Sequence, residues 1–188
     1  MNPKIKVGVS GLLFRLTKTA LICKKIPKRP DIFIIQREHF PNEGKFVIPG
    51  GHLEFGETYK QGLRRELKEE TGVNAGLIHD LIPEITGGEH TSTSFSSLVT
   101  NLIFPEKAVQ YVIISKLCYV IPNEEFEESD CGNEVPDFHL DAVGEWNTYE
   151  QFLERPDELY VDGIQKVIRH GYRELDSFCK RYDIEQYI

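Results

Sequence analysis

Apolar residues recur along this chain in two rhythms. Residues 5–15, 18–23 and 31–36 are short runs rich in aliphatic and β-branched side chains, and each predicts a strand. Between the second and third, KKIPKRPD (24–31) carries two prolines and predicts a hairpin loop with its four basic residues in solvent. A short strand over Lys45–Ile48 then meets the breaker Pro49-Gly50-Gly51. A helix follows from Thr58 to Thr71, with the Thr58 hydroxyl as its N-terminal cap and Gly72 as its stop. Further strands are expected near 76–84, 94–104 and 109–120. After an acidic loop, Glu145-Trp146 opens a short strand or turn, and Tyr149 to Leu153 a short helix. Val161, Ile164, Ile168, Tyr172, Leu175 and Phe178 then mark one face of an amphipathic helix over about 158–182. This order predicts an α/β fold, an α/β/α sandwich around a central mixed β-sheet. One domain is expected over 1–188, with a core from about 5 to 155.

Composition narrows the setting. The chain has 188 residues, 40% hydrophobic and 28% charged, which suits a globular domain with a real core. No stretch approaches the ~20 apolar residues of a membrane helix, and MNPKIKVGVSGLLF does not resemble a signal peptide, so a cytoplasmic protein is expected. A formal charge of −8 disfavours long polyanions, and nucleic acid is not an expected partner. A small phosphate compound remains compatible once cations reverse the local field. The four cysteines (23, 118, 131, 179) show no metal-ligand spacing and read as free thiols.

The chemistry concentrates in GHLEFGETYKQGLRRELKEETGV, residues 51–73. At about 100° per residue, with Leu63 at zero, Leu67 lies near ~40°, Glu70 near ~340°, Glu66 near ~300° and Glu69 near ~240°. Glu66 and Glu70 therefore lean toward the apolar edge, a costly place for a charge without a positive partner. Carboxylates three and four residues apart also repel one another. A hard divalent cation resolves both problems. Arg65 alone among the helix's basic residues lies close enough to the acidic edge to steady Glu69 or orient a glutamate. Before the helix, Gly50 and Gly51 permit close backbone approach to a ligand, and a carbonyl freed there can complete a coordination shell. Glu57 sits at the positive end of the helix dipole.

This segment is identified as a Nudix box: Gly51, Glu57, Arg65, Glu66, Leu67, Glu69, Glu70, Gly72 and Val73 fill the pattern without departure. A chance match is roughly 10⁻⁷ or less at ordinary residue usage. PGGHLEFGET is also similar in wording to MutT-like nucleoside triphosphate pyrophosphatases. The resemblance implies a hydrolase that cuts a diphosphate bond in a nucleoside triphosphate or another nucleoside-diphosphate derivative by water attack at phosphorus. A nucleotide-sugar or ADP-ribose pyrophosphatase is the alternative, and a noncatalytic nucleotide-sensing module a third reading. It further implies Mg²⁺ or Mn²⁺ on Glu66, Glu69 and Glu70, with the Gly50 carbonyl as a fourth ligand. Glu66 is the box candidate for general base, and Arg65 and Glu57 position the ligands. In some members an acid of a later loop is the base instead; Asp141 or Glu134 is favoured here. Gly51 and His52 are expected to touch substrate, and Phe55, Phe95, Tyr111 and Trp146 are candidate platforms for a base. A homodimer is common in the family. The histidines form no HExxH pair, and no GxSxG elbow or Walker A loop occurs.

Overall fold

The computed structural model describes residues 4–38, 42–87, 98–121 and 144–188. Its first apolar run is one long strand, β1 (Lys4–Thr17). Thr17 ends it by accepting a hydrogen bond from the Ala20 N–H at 3.1 Å, which starts α1 (Lys18–Ile22). The strand expected at 18–23 is therefore a helix. A run that short reads alike in both states, and the hydroxyl cap decides. The loop expected at 24–31 likewise contains β2 (Lys25–Pro27), paired in parallel with β10 (Glu185–Tyr187). Its proline sits at the end of a two-stranded sheet, where a missing donor costs little.

β3 (Ile32–Gln36), β4 (Phe46–Val47) and β5 (Gly50–His52) follow, then α2 (Tyr59–Thr71). Thr58 and Gln61 form a reciprocal capping box at its start, and Gly72, left-handed at φ 69°, closes it. The strand expected at 76–84 shortens to β6 (Asn74–Leu77), followed by a 3₁₀ turn over Ile78–Leu81 and α3 (Ile82–Ile85). Pro83 lies in the first turn of α3, where its missing N–H is harmless. β7 (Leu98–Phe104), β8 (Val109–Ile121), β9 (Gly144–Asn147), α4 (Tyr149–Glu154) and α5 (Ile164–Tyr182) complete the chain. Gly163 caps α5, so Val161 and the residues from 158 lie before the helix, not within it.

β1 and β8 form the spine, running in parallel from Lys4↔Val109 to Thr17↔Val120. β3 and β5 lie antiparallel to β1, and β6 and β7 antiparallel to β8, which makes the sheet mixed. Each face carries its own core. On one, Leu63 and Leu67 of α2 pack with Val9, Leu13, Phe33 and Cys118. On the other, Ile168, Tyr172 and Leu175 of α5 pack with Leu12, Phe14 and Leu117, joined by α1, α3 and α4. Two glycines let the layers touch. A Cβ at Gly11 would lie 2.9 Å from Leu67 side-chain carbons, and one at Gly171 the same distance from those of Leu12. The fold is an α/β/α sandwich. No described helix is long and apolar enough to cross a membrane.

Leu67 is fully buried on the helix that carries the acidic residues. Leu67→Ala should cost about 2–5 kcal/mol, because the strands beside Gly11 cannot collapse into the space. Denaturant unfolding measures this, and a loss well under 1 kcal/mol would contradict the packing described.

Candidate active site

Backbone geometry before α2 brings strand and helix together. The Pro49 carbonyl accepts the Gly11 N–H at 2.9 Å, which pins the turn to β1. Gly50 has φ 151°, and a Cβ there would overlap the Val9 carbonyl oxygen. Gly51 faces the opposite side of the sheet, where a Cβ would overlap the Glu66 carboxylate. With no side chain at either position, β5 lies directly against the acidic edge of α2.

Arg65 gathers most of that edge. Its Nε and Nη2 donate to the two Glu57 oxygens at 2.8 and 3.0 Å, a bidentate pair. Nη1 donates to Glu66 Oε1 at 3.0 Å and Glu69 Oε2 at 3.1 Å, and Nη2 also to the His52 carbonyl at 3.0 Å. Hydrogen bonds from Arg65, and one from the Glu54 N–H, hold the Glu57 carboxyl down to about 2. Glu70 points the other way. Its Oε2 accepts the Gly50 N–H at 2.7 Å, and burial, with help from the Glu66 and Glu69 charges, pushes its pKa above the usual carboxylate value. Arg37 opposes that shift. The helical phase is reflected in exposure: the Glu66 side chain is 13% exposed and that of Glu69 58%.

These donors suit a hard cation. They are carboxylate oxygens, crowded, and in Glu70 short of positive charge. Among the described residues no three His, Cys, Asp or Glu side chains already converge as a metal cage, because Glu66 and Glu69 face Arg65. Beside this edge opens a cleft of about 390 Å³. Gly50, Gly51 and His52 form part of its wall; β1, β7 and β8 floor it, and the start of α5 closes one side.

Residues 16–169 match the family model of the NUDIX domain. The chain belongs to the Nudix family. A curated relative, the ADP-ribose pyrophosphatase of Methanocaldococcus jannaschii, is 46% identical over 48 residues, 26% of this chain and 28% of that protein. The putative nudix hydrolase 1 of Caenorhabditis elegans is 31% identical over 68 residues, 36% of this chain and 19% of its own length. The matched stretches thus span less than a third of these relatives. Among solved structures, a NUDIX hydrolase from Nitrosomonas europaea superposes with a TM-score of 0.55 at 16% identity, covering 98% of both chains. The NUDIX domain of Shewanella oneidensis NrtR, solved with ADP ribose, gives 0.51 at 14% identity, over 92% of this chain and 89% of that one. At such identities the likeness establishes the fold.

In this Nudix domain Glu57, Arg65, Glu66 and Glu69 form one bonded group, and Glu70 and Gly50 a second beside it. Gly51 and His52 line the cleft, and Tyr111 lies in it with its ring 5.6 Å from that of His52. Phe55 is fully exposed, and Trp146 packs edge-on against Phe33 at 5.2 Å, so neither shares the cleft. Glu145 is drawn off by Arg155 at 2.6 Å. Asp141, Glu134 and Phe95 lie outside the described residues. The segment 86–108 supplies Thr100, Leu102, Phe104 and Lys107 to the cleft. Residues 24–31 are absent from its lining, and Arg29 pairs instead with Asp176 at 2.8 Å. Arg37 and the buried Ser10–Ser115 pair are cleft residues that sequence reading missed, since no motif marks them.

Glu57 is a carboxylate whose folded pKa is depressed. The stability it contributes is fully present above about 4.5 and is lost as pH falls toward about 2. Urea unfolding of wild type and Glu57→Gln should therefore show a gap at about pH 6 that narrows by about pH 3. A gap that stays constant across this window would contradict the Arg65–Glu57 pairing.

Proposed function

We propose that this domain is a Mg²⁺- or Mn²⁺-dependent pyrophosphohydrolase that cuts the diphosphate bond of a nucleoside-diphosphate derivative. The carrying observation is the Arg65 hub beside Glu70. One guanidinium orders three carboxylates, and the fourth carboxylate of the set is half-buried without a cation of its own among its hydrogen-bond partners. Glu66 and Glu70, with Glu69 and the Gly50 carbonyl as completing ligands, would hold the metal. When bound, the ion neutralises phosphate oxygens and lowers the pKa of attacking water.

The chain's own groups then divide the work. Glu57, kept anionic, locks the Arg65 fork in place, and Arg65 in turn holds Glu66 Oε1. Glu66 Oε2 has no hydrogen-bond partner among the described residues and is the atom that would take the water's proton. Asp141 is the competing base. Gly51 leaves the Glu66 carboxylate its room. Tyr111, Phe104 and His52 give the cleft an aromatic wall suited to a base, and Arg37 and Lys107 offer positive charge to phosphates. Among substrates, ADP-ribose is supported by the named activity of the Methanocaldococcus relative. A nucleoside triphosphate is the second candidate, on the wording of the box and its flanks.

Glu70→Gln should abolish turnover by orders of magnitude while the fold persists. Because the Glu70 pKa is raised on folding, its charged form weakens stability as pH rises above its unfolded value. The metal-free variant should thus melt no lower than wild type at neutral pH, and Mg²⁺ should raise the melting temperature of wild type alone. Glu66→Gln should lose about 10²–10⁴-fold in kcat if Glu66 is the base, and Asp141→Asn should then lose far less. A panel of ADP-ribose, nucleotide sugars and nucleoside triphosphates, run in ¹⁸O water, reads the substrate and the phosphorus attacked. Normal turnover by folded Glu70→Gln would overturn the metal-ligand assignment.

A further inference from the structure

Strand register sets the floor of the cleft in rows. The innermost joins Gly50, Ser10 and Ser115; the next joins His52, Gly8, Ile113 and Thr100; Tyr111 and Leu102 lie further out. At ~3.3 Å per residue, the Ser115 row lies about 13 Å from the Tyr111 row. The cleft therefore has an aromatic outer end and a hydroxyl-bearing inner end.

Ser10 and Ser115 are 7% and 3% exposed, both line the cleft, and their hydroxyl oxygens stand 2.7 Å apart. Two hydroxyls carry two protons, and the bond between them uses one. Neither side chain has another hydrogen bond among the described residues. One O–H thus remains undonated beside the apolar side chains of Ile48, Ile113 and Val167. A buried donor without an acceptor is costly. The neighbourhood indicates which acceptor belongs there. Ser10 lies against Gly50, whose own N–H is already given to Glu70, and Arg37 adds positive charge to the same cleft.

We propose that the Ser10–Ser115 pair is a specificity element, in which one hydroxyl donates to a phosphate or ribose oxygen of the nucleotide while the other holds it in orientation. This rests on the cleft being the substrate site, as read above. The ligand-facing serine reads the oxygen directly, so its loss removes the contact; loss of its neighbour only frees the rotor. The two single substitutions should therefore differ, and the double should cost no more than the larger single.

The test uses Ser10→Ala, Ser115→Ala and the double variant, each checked by thermal unfolding. Steady-state hydrolysis of ADP-ribose with Mg²⁺ is paired with calorimetric binding of ADP-ribose. One single variant and the double should raise both KM and Kd about five- to tenfold, with kcat within about twofold. Pyrophosphate and adenosine as competitors locate the oxygen. Weakened inhibition by pyrophosphate assigns a phosphate, and weakened inhibition by adenosine a ribose or base atom. Unchanged KM and Kd in the double variant overturn the proposal and leave a bound water as the acceptor. Additive losses, or losses confined to kcat, overturn it too. Serine-dependent binding without any hydrolysis sinks the hydrolase reading alone. No binding of ADP-ribose, pyrophosphate or adenosine to wild type sinks both.

Discussion

A single guanidinium organises this molecule's chemical edge. Arg65 reaches from the middle of α2 to the carbonyl of His52 on β5, to Glu57 ahead of the helix and to two glutamates of its own helix. Without it, carboxylates at spacings of three and four residues would repel one another and loosen the helix from the strand. With it, the repulsion becomes a fixed array. The bidentate Arg65–Glu57 pair gives the array its direction, since a planar fork admits few orientations. Lysine could supply the charge but not that planar geometry. Glu70 is the exception within this set. It turns away from Arg65 to the Gly50 N–H, and burial raises its pKa.

Glycine makes the array compatible with the sheet. β5 could not lie against β1 if Gly50 carried a side chain, nor against α2 if Gly51 did, because Val9 and Ser10 fill the space on one side and Glu66 on the other. β5 is thus a thin wall, with acidic residues behind Gly51 and the cleft on the side of His52. The parallel β1–β8 spine then extends the cleft floor beyond the cores. One set of alternating residues lines the cleft, and the opposite set leaves Ile5, Val7, Val99 and Ile103 exposed.

What could be read from sequence was what local rules decide. The phase of Glu66 and Glu70 against Leu63 and Leu67, the Thr58 cap and the Gly72 stop all depend on residues within about one or two turns of each other, and all appear in the structure. Misreadings arose in short runs that read alike in two states, and where distant partners decide. The 18–23 run became helical through one hydroxyl cap, and β2 exists only because β10, some 160 residues later, supplies its edge. The 76–84 segment has the composition of a strand but turns after Leu77 into a 3₁₀ turn and a short helix. The acidic loop holding Asp141 and Glu134 lies outside the described residues, so their expected role stands as a proposal.

The site's least legible part was the cleft, for a related reason. Ser10 and Ser115 are separated by 105 positions, and only the β1–β8 register places one hydroxyl on the other. A one-residue slip of β8 against β1 would turn Ser115 toward α2 and put Lys116 into the cleft in its place, exchanging a neutral donor for a cation. Motifs record the chemistry a family shares, because that chemistry fits within one helix and its preceding turn. Recognition of a particular substrate is instead spread over strands that meet only after folding. Catalytic class was therefore readable here before the cleft, whose hydroxyl pair no local pattern singles out.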